Sequence, residues 1–175
     1  MSSKKSFLFK VLTAGDGGVG KTTLLHRYIH NKFVANTSMT LGVEFFTKEL
    51  EFDEASVMLQ LWDFGGQEQF RFMLERYALG AKGALIVFDL TRFNTLEHMD
   101  EWVRICRKGD PDLPIILVGS KLDLEDHIVI NDDIALEIKE KFNFIDYLKT
   151  SSKTGESVEV VFKKLARAVL KNEFS

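Results

Sequence analysis

Short apolar runs alternate with amphipathic segments along the whole chain. Strands are predicted at residues 7–13, 84–89, 115–119 and 146–150. The runs at 84–89 and 115–119 are continuously apolar up to their last residue, as expected of parallel strands that helices cover on both faces. The amphipathic segments repeat apolar residues at intervals of three and four, which predicts helices. They lie at residues 21–31, 94–108 and 132–142, and from Val158 onward.

Two more strand-like runs, residues 42–52 and 56–62, are separated only by residues 53–55. A connection this short joins antiparallel strands, because a parallel pair needs a crossover of about a dozen or more residues. Together the six runs predict a single α/β domain over residues 1–175, with a six-stranded, mostly parallel sheet and helices on both faces. In such a fold, ligand-binding loops lie at the carboxyl ends of the strands.

Polar residues indicate where the helices begin. Asn94 is expected to cap the helix that runs to about Lys108, and either Asn131 or Asp132 opens the next helix. Residues 33–41 have no clear period, which predicts a loop.

The segment that ends at Ala78 mixes charged residues with apolar ones, namely Phe70, Phe72, Met73 and Leu74. We interpret it as a mobile helix whose apolar side faces a partner. The alternative, that these side chains fill the core, stays open.

Composition and charge narrow the class of protein. A formal net charge of −3 gives no support to nucleic-acid binding. The single cysteine, Cys106, cannot form an internal disulfide, which suits a reducing compartment, and we expect it to be a small buried residue. No apolar run is long enough to cross a membrane, Ser2 excludes N-myristoylation, and residues 172–175 hold no cysteine for prenylation. We therefore expect a cytoplasmic monomer, with any attachment at a membrane surface made through a partner.

A glycine-rich turn joins the first predicted strand to the first predicted helix. It fits the pattern G-x-x-x-x-G-K-[ST], whose backbone N–H groups can surround a phosphate chain. The junction places the turn at a helix N-terminus, where unpaired N–H groups and the helix dipole favour anions. The lysine adds charge for the outer phosphates, and the threonine offers its hydroxyl to Mg²⁺. The residues are Gly15, Asp16, Gly17, Gly18, Val19, Gly20, Lys21 and Thr22.

An acid, two glycines and a glutamine follow the second strand of the predicted hairpin. Asp63 ends a buried strand beside the phosphate loop, where a magnesium partner is expected, although an aspartate that caps a turn is the alternative. Gly65 and Gly66 allow backbone N–H groups to approach a terminal phosphate, and the amide of Gln67 can orient a water molecule.

Two further patterns have ordinary explanations. His26 and His30 lie one helical turn apart, the spacing of a zinc pair, but without a third ligand a solvated helix face is favoured. The terminal helix is basic beside an apolar stripe and could lie on a membrane, but packing against the sheet is favoured. The stripe is Val158, Val161, Phe162, Leu165 and Val169.

In their order along the chain, the motifs resemble those of the Ras-like small GTPases, and within them the Rab group. The resemblance covers nearly the whole chain. Residues 40–45 resemble the first switch, 59–63 with 66–68 the second switch, 119–123 the guanine-binding motif, and 151–153 its supporting loop. The Gly-Gly-Gln of the second switch is similar to that of the Arf branch.

The resemblance implies a switch that binds GTP or GDP with Mg²⁺, hydrolyses GTP, and binds effectors in the GTP state. It implies that Lys21, Thr40 and Gln67 serve hydrolysis, and that Thr22, Thr40 and Asp63 hold the metal. To the phosphate loop it adds Thr23, Phe33, Thr40, Gly66, Ser120, Lys121, Asp123, Ser151, Ser152 and Lys153 as nucleotide-binding residues. The terminal phosphate would order both switches, and hydrolysis would release them.

The family's partners are implied as well. Phe45, Trp62 and Tyr77 match the aromatic trio that Rab proteins present to effectors. An activating protein and an exchange factor are expected. No arginine is an obvious catalytic finger within the chain, so slow intrinsic hydrolysis is expected. Gly17 lies where a side chain would crowd Gln67, and as glycine it leaves hydrolysis feasible.

Guanine suits the base motif chemically. A carboxylate at Asp123 can accept hydrogen bonds from N1–H and from the exocyclic amine of guanine, groups that adenine lacks on that edge. The stem of Lys121 can lie flat over the ring, and the resemblance places Phe33 against it. Adenine would leave Asp123 unpaired and lose affinity.

Three departures from the family pattern affect these expectations. Ser120 replaces the usual asparagine, and its shorter side chain is expected to weaken the connection between the base loop and the phosphate loop. Phe64 and Gly65 replace the usual Thr-Ala. The missing C-terminal cysteine puts the usual Rab membrane anchor in doubt.

Two rival functions remain at this point. One is an interaction module that binds nucleotide without turnover, against which the intact set of Gly17, Thr40 and Gln67 argues. The other is a P-loop kinase or ATPase, which predicts a preference for ATP, and Lys121 with Asp123 argues against it.

Overall fold

The structure, a computed structural model, describes residues 3–35, 39–40 and 42–175. Within these residues, strands and helices follow one another in the order that the hydrophobic pattern predicts. The strands are β1 (Lys5–Ala14), β2 (Val43–Glu51), β3 (Ala55–Phe64), β4 (Gly83–Asp89), β5 (Ile115–Ser120) and β6 (Asp146–Lys149). The α-helices are α1 (Lys21–His30), α2 (Arg71–Tyr77), α3 (Met99–Cys106), α4 (Asp132–Lys141) and α5 (Val158–Glu173).

The strands form one sheet in the order β2-β3-β1-β4-β5-β6. β2 pairs antiparallel to β3, and every other neighbouring pair is parallel. The predicted six-stranded, mostly parallel sheet and its antiparallel hairpin are therefore confirmed. The carboxyl ends of β1, β3, β4 and β5 share one edge of the sheet, which is where ligand-binding loops are expected.

Helices cover both faces of the sheet. α1 and α5 contribute to one buried cluster, and α2, α3 and α4 contribute to the other. Residues of β1 alternate between the two, since Phe9 and Val11 lie in the first cluster while Leu12 and Ala14 lie in the second. This alternation follows from the two-residue period of a strand, and burial on both faces explains the continuous apolar runs.

The terminal helix α5 packs on the sheet rather than presenting its apolar side to solvent. Every residue of its predicted stripe is buried, and all lie in the first cluster with α1 and the central strands. The preferred interpretation of a closing helix is confirmed. Among the helices of the described residues, none is both long and apolar enough to cross a membrane.

The start of α3 differs from the prediction. Asn94 does not cap it: it lies within a short 3₁₀ turn, Phe93–Leu96, and α3 begins only at Met99 after His98. The reason is Thr95, whose hydroxyl donates to the carbonyl of Arg92 at 2.8 Å and accepts from the backbone N–H of Asp89 at 3.0 Å. These bonds tighten the chain against the end of β4 and delay the helix.

One open point is resolved, and the predicted loop is described in part. Asn131, not Asp132, caps α4, because its Oδ1 accepts a hydrogen bond from the N–H of Ile134 at 3.0 Å. In the predicted loop, residues 33–35 and 39–40 are neither helical nor extended in a strand, while 36–38 and 41 lie outside the described residues.

The segment that ends at Ala78 has both buried and exposed apolar side chains. Leu74 of α2 is buried in the core, whereas Phe72 is 76% exposed. One face of α2 therefore packs on the sheet, and the opposite face presents apolar surface.

Candidate functional site

The glycine-rich turn connects β1 to α1. Gly15 and Gly20 have φ angles of +139° and +99°, which side chains rarely tolerate. At Gly15 a Cβ would also overlap the carbonyl of Val87. Gly20 precedes α1 without any side-chain hydrogen bond capping this end. An anion is the ligand that this end of α1 favours.

Lys21 lies buried at the mouth of this turn. Its ammonium donates to the carbonyls of Gly15 at 2.6 Å and Asp16 at 2.8 Å. Burial lowers the pKa of Lys21 to about 8, opposed by the charges of Asp63 and Asp16. A phosphate beside this ammonium would favour its charged form.

Three side-chain oxygens converge next to Lys21. The hydroxyls of Thr22 and Thr40 are 2.8 Å apart, and both donate to Oδ2 of Asp63, at 2.5 and 3.2 Å. Asp63 is fully buried, and its Oδ1 has no hydrogen-bond partner among the described residues. Burial raises the pKa of Asp63 despite the hydrogen bond from Thr22 and the charge of Lys21. A buried carboxylate with an unpaired oxygen beside two hydroxyls is a donor set that fits Mg²⁺.

Gly66 packs directly on the phosphate loop. A Cβ at Gly66 would overlap the backbone N of Gly17 and lie 2.5 Å from the carbonyl carbon of Asp16. Gln67 lies beside it, and its Oε1 is buried without a hydrogen-bond partner among the described residues. Together with Thr40 these residues line a cavity of about 440 Å³ over the loop.

We expected a side chain at position 17 to crowd Gln67, and this is wrong for a side chain as small as that of alanine. A Cβ built there has no heavy atom of the described residues within 4 Å. The loop therefore leaves open space on this side, toward the cavity.

A second cavity of similar volume continues on the other side of the phosphate loop. Gly18 and Gly20 line both cavities, so the two meet at the loop. This cavity brings together eight more of the predicted nucleotide-binding residues. They are Val19, Thr23, Phe33, Ser120, Lys121, Asp123, Ser152 and Lys153. Ser151 lies beneath them, fully buried, and donates to Oδ1 of Asp123 at 2.7 Å, which orients that carboxylate.

Side chains from the ends of β4 and β5 hold three consecutive carbonyls of the phosphate loop. Arg92 donates to Gly17 at 3.4 Å and Lys121 to Gly18 at 3.1 Å. Ser120 donates to Val19 at 2.6 Å, so the hydroxyl does reach the loop despite its short side chain. With these carbonyls turned outward and paired, the N–H groups of the loop can face a ligand.

Asp89 orients two of these donors. It is fully buried at the end of β4, and its Oδ2 accepts from Lys121 at 2.8 Å and from Arg92 at 3.0 Å. Burial acts to raise the pKa of Asp89, but hydrogen bonds from Lys121, Thr91 and Arg92 outweigh it and lower the pKa. Sequence reasoning missed Asp89, although an acid that ends a buried strand is the same signal that identified Asp63.

Two further arginines were missed, and no local signal marks them. Arg27 of α1 donates to the carbonyls of Ser152 and Lys153, both at 2.6 Å, and so holds the base loop. Arg71 begins α2 and donates to the carbonyl of Gly66. The partners of Arg27 lie far away in the sequence, and the partner of Arg71 lies in the preceding turn. The spacing of apolar residues does not indicate contacts of either kind.

The remaining candidates lie outside the two cavities. His26 and His30 have ring centroids 5.6 Å apart, and the described residues contain no group of three potential ligands that would complete a metal site. Cys106 is buried, and burial raises the pKa of its thiol to about 12, as expected of an inert core residue.

Phe45, Trp62 and Tyr77 form a continuous aromatic surface beside α2. The ring of Trp62 lies 5.7 Å from that of Phe45 and 6.0 Å from that of Tyr77. Phe45 is 60% exposed, and the ammonium of Lys10 lies over Trp62 at 4.1 Å.

Comparisons with known proteins show the family of this chain. Residues 10–171 match the sequence model of the Ras family. Ras-related protein Rab-2B of Dictyostelium discoideum is 36% identical over 171 residues, which cover 97% of this chain and 84% of that protein. Ras-related proteins RABA4b and RABA1c of Arabidopsis thaliana are both 38% identical, over 94% and 91% of this chain and 73% and 74% of theirs. The chain therefore belongs to the Ras family of GTP-binding regulatory GTPases and stands close to its Rab members.

Proposed function

We propose that residues 1–175 form a GTP-hydrolysing switch with a Rab-like regulatory role, in which the terminal phosphate orders two segments. One switch segment contains Thr40, and the other contains Gly66 and Gln67. The observation that carries the proposal is that both segments line one cavity over the phosphate loop, together with Lys21. A ligand that fills this cavity would contact both, and its loss would release both.

The phosphate end of the site follows from the loop and its neighbours. Backbone N–H groups of residues 16–23 surround the phosphates, and the ammonium of Lys21 meets the β and γ oxygens. Thr22, Thr40 and Asp63 would hold Mg²⁺, since their side-chain oxygens converge beside Lys21. When bound, the metal supplies positive charge against the phosphate oxygens.

The base end selects guanine. The carboxylate of Asp123, oriented by Ser151, accepts from N1–H and the exocyclic amine of the base. The stem of Lys121 and the ring of Phe33 enclose the base from its two faces, since both line the second cavity. Ser152 and Lys153 close the edge, held in place by Arg27.

Hydrolysis depends on Gln67. Its amide oxygen, unpaired in the described residues, can accept a hydrogen bond from the attacking water and hold it in line with the terminal phosphate. Arg71 and Arg92 lie near the loop, but each is already bound to a carboxylate and a carbonyl. Turnover is therefore slow until an activating protein supplies an arginine.

Partners would bind where the switch segments meet the aromatic surface. Effectors contact Phe45, Trp62 and Tyr77 in the GTP state, and an exchange factor replaces GDP. The protein acts in the cytoplasm as a monomer, in a role of the membrane-traffic kind, and reaches membranes through partners.

The first experiment is nucleotide binding by the purified protein with Mg²⁺ present. GDP and GTP should bind and a large excess of ATP should not displace them, because adenine leaves Asp123 unpaired. No uptake of guanine nucleotide, or displacement by ATP, would contradict the proposal.

The second experiment tests turnover. Gln67→Leu should slow single-turnover GTP hydrolysis by about 10- to 100-fold, because the attacking water loses its orientation. Gln69→Leu is the matched control, since Gln69 is exposed in the same segment and should leave the rate unchanged. Equal rates in both variants would favour a binding module without turnover.

A further inference from the structure

Arg71 is a charged residue that is almost completely buried. Arg71 lies at the start of α2, and only 5% of its surface is exposed. A buried guanidinium is costly unless hydrogen bonds and opposite charges pair it. It has partners on every side. Its Nη1 donates to Glu101 of α3 at 2.8 Å, its Nη2 donates to Asp16 at 3.2 Å, and its Cζ lies over the ring of Trp102, 4.7 Å from the ring centroid.

The remaining N–H groups of Arg71 hold the carbonyl of Gly66. Nε and Nη2 donate to this oxygen at 3.3 and 3.0 Å. That carbonyl belongs to the peptide plane that joins Gly66 to Gln67. Because a peptide is planar, fixing its oxygen also fixes the direction of the N–H of Gln67 and the plane in which the Cα of Gln67 lies.

Asp16 connects this arrangement to the phosphate loop. Its Oδ1 accepts from Arg71 and from the indole N–H of Trp102 at 2.8 Å, and its Oδ2 accepts from Nδ1 of His98 at 2.9 Å. The carbonyl of the same residue accepts from Lys21. One loop residue is therefore held by α2, by α3 and by the phosphate-binding lysine at once.

We propose that Arg71, oriented by Asp16 and Glu101, is a positioning residue that holds the Gly66–Gln67 peptide against the phosphate loop and so sets the preference for a nucleotide with a terminal phosphate. This inference rests on the proposed function. The guanidinium is suited to the task because its donors point in fixed directions toward three acceptors. A lysine ammonium is a compact point of charge and cannot donate to the same three acceptors in the same directions.

A purely structural role predicts a different result. If Arg71 only stabilised the fold, its loss would weaken the binding of GDP and GTP equally. As a positioning residue for the terminal phosphate, it affects GDP little, because GDP makes no contact that needs the Gly66–Gln67 peptide in place.

The test measures the dissociation constants of GDP and of a non-hydrolysable GTP analogue, with Mg²⁺, for three variants. Arg71→Lys should raise the constant of the analogue about tenfold, because hydrogen bonds from a charged donor are lost, and change that of GDP less than about twofold. Glu101→Gln, at a partly exposed residue of α3, should act in the same direction with a smaller effect. Arg76→Lys is the matched control, since Arg76 is exposed on α2 and should change neither constant.

Each outcome decides the inference. Equal losses for both nucleotides, or an unchanged ratio in Arg71→Lys and Glu101→Gln, would overturn it. If Arg71→Lys does not fold, the ratio in Glu101→Gln decides alone. Failure of the unmodified protein to bind guanine nucleotide would instead refute the proposed function, so the two failures are distinguishable.

Discussion

Gly65 lies where the two switch segments touch, and replacing it by alanine should separate them. Its N–H donates to the carbonyl of Gly42 at 2.8 Å. A Cβ at Gly65 would lie 2.5 Å from the carbonyl oxygen of Thr40, and 3.1 Å from both the carbonyl oxygen of Gly42 and Oε1 of Gln67. The first of these is too close for any real Cβ, and the atom in the way belongs to the backbone.

The size of the effect follows from these distances. Ordinary contact begins at 3.4 Å, so the carbonyl of Thr40 must retreat by about 0.9 Å. Overpacking of this kind costs about 1–3 kcal/mol, and a weakened N–H···O bond adds about 1 kcal/mol. The closed arrangement should therefore lose about 2–4 kcal/mol, which corresponds to a roughly 30-fold or greater rise in the dissociation constant of a GTP analogue. GDP should bind almost as before, because it does not require the two segments to meet.

Fluorescent GDP and GTP-analogue titrations of Gly65→Ala measure this ratio, and thermal unfolding establishes that the variant is folded. Gly109→Ala is a matched control, because a Cβ there meets a flexible side-chain atom of Leu79 at 3.3 Å, far from the site. If Gly65→Ala keeps the ratio of the two constants within about twofold of the unmodified protein, the terminal phosphate does not bring the switch segments together, and the reasoning fails.

Three further predictions concern the supports of the loop and the metal. Arg92→Ala should speed the release of GDP and GTP analogue several-fold and alike in stopped-flow measurements, since the carbonyl of Gly17 loses its donor; a selective effect on one nucleotide would contradict this. Asp89→Asn should lower the thermal stability of the protein. Because hydrogen bonds lower the pKa of Asp89 in the folded protein, the stability it adds should persist above about pH 4 and disappear as the pH falls below it. Removal of Mg²⁺ with EDTA should speed nucleotide release from the unmodified protein much more than from Asp63→Ala, and equal acceleration of both would exclude Asp63 from the metal site.

The outcome at particular residues shows where sequence reasoning succeeds. The phosphate loop was predictable because its glycines, lysine and threonine are contiguous and lie between a strand and a helix. Asn131 could be identified as one of two candidate caps of α4, because a capping side chain binds N–H groups only two or three residues further along the chain. Asn94 looked equally good but was wrong, because Thr95 binds the end of β4 and no local rule registers that contact.

Residues whose role depends on distant partners could not be predicted. Arg71 meets Asp16 across 55 positions, and Arg92 meets Gly17 across 75. The room at Gly17 and the contact between Gly65 and Thr40 likewise depend on how the two loops approach each other.

The amino-acid sequence by itself determined the order of strands and helices, the phosphate loop and the types of side chain available for a base and a metal. It does so because each of these depends on residues within one or two turns of each other. Only the tertiary structure decided which buried charges pair, which carbonyls of the loop are held, and how Gly66 rests against Gly17. Those contacts arise when strand ends far apart in the chain meet at one edge of the sheet, and their distances are set by packing rather than by local pattern.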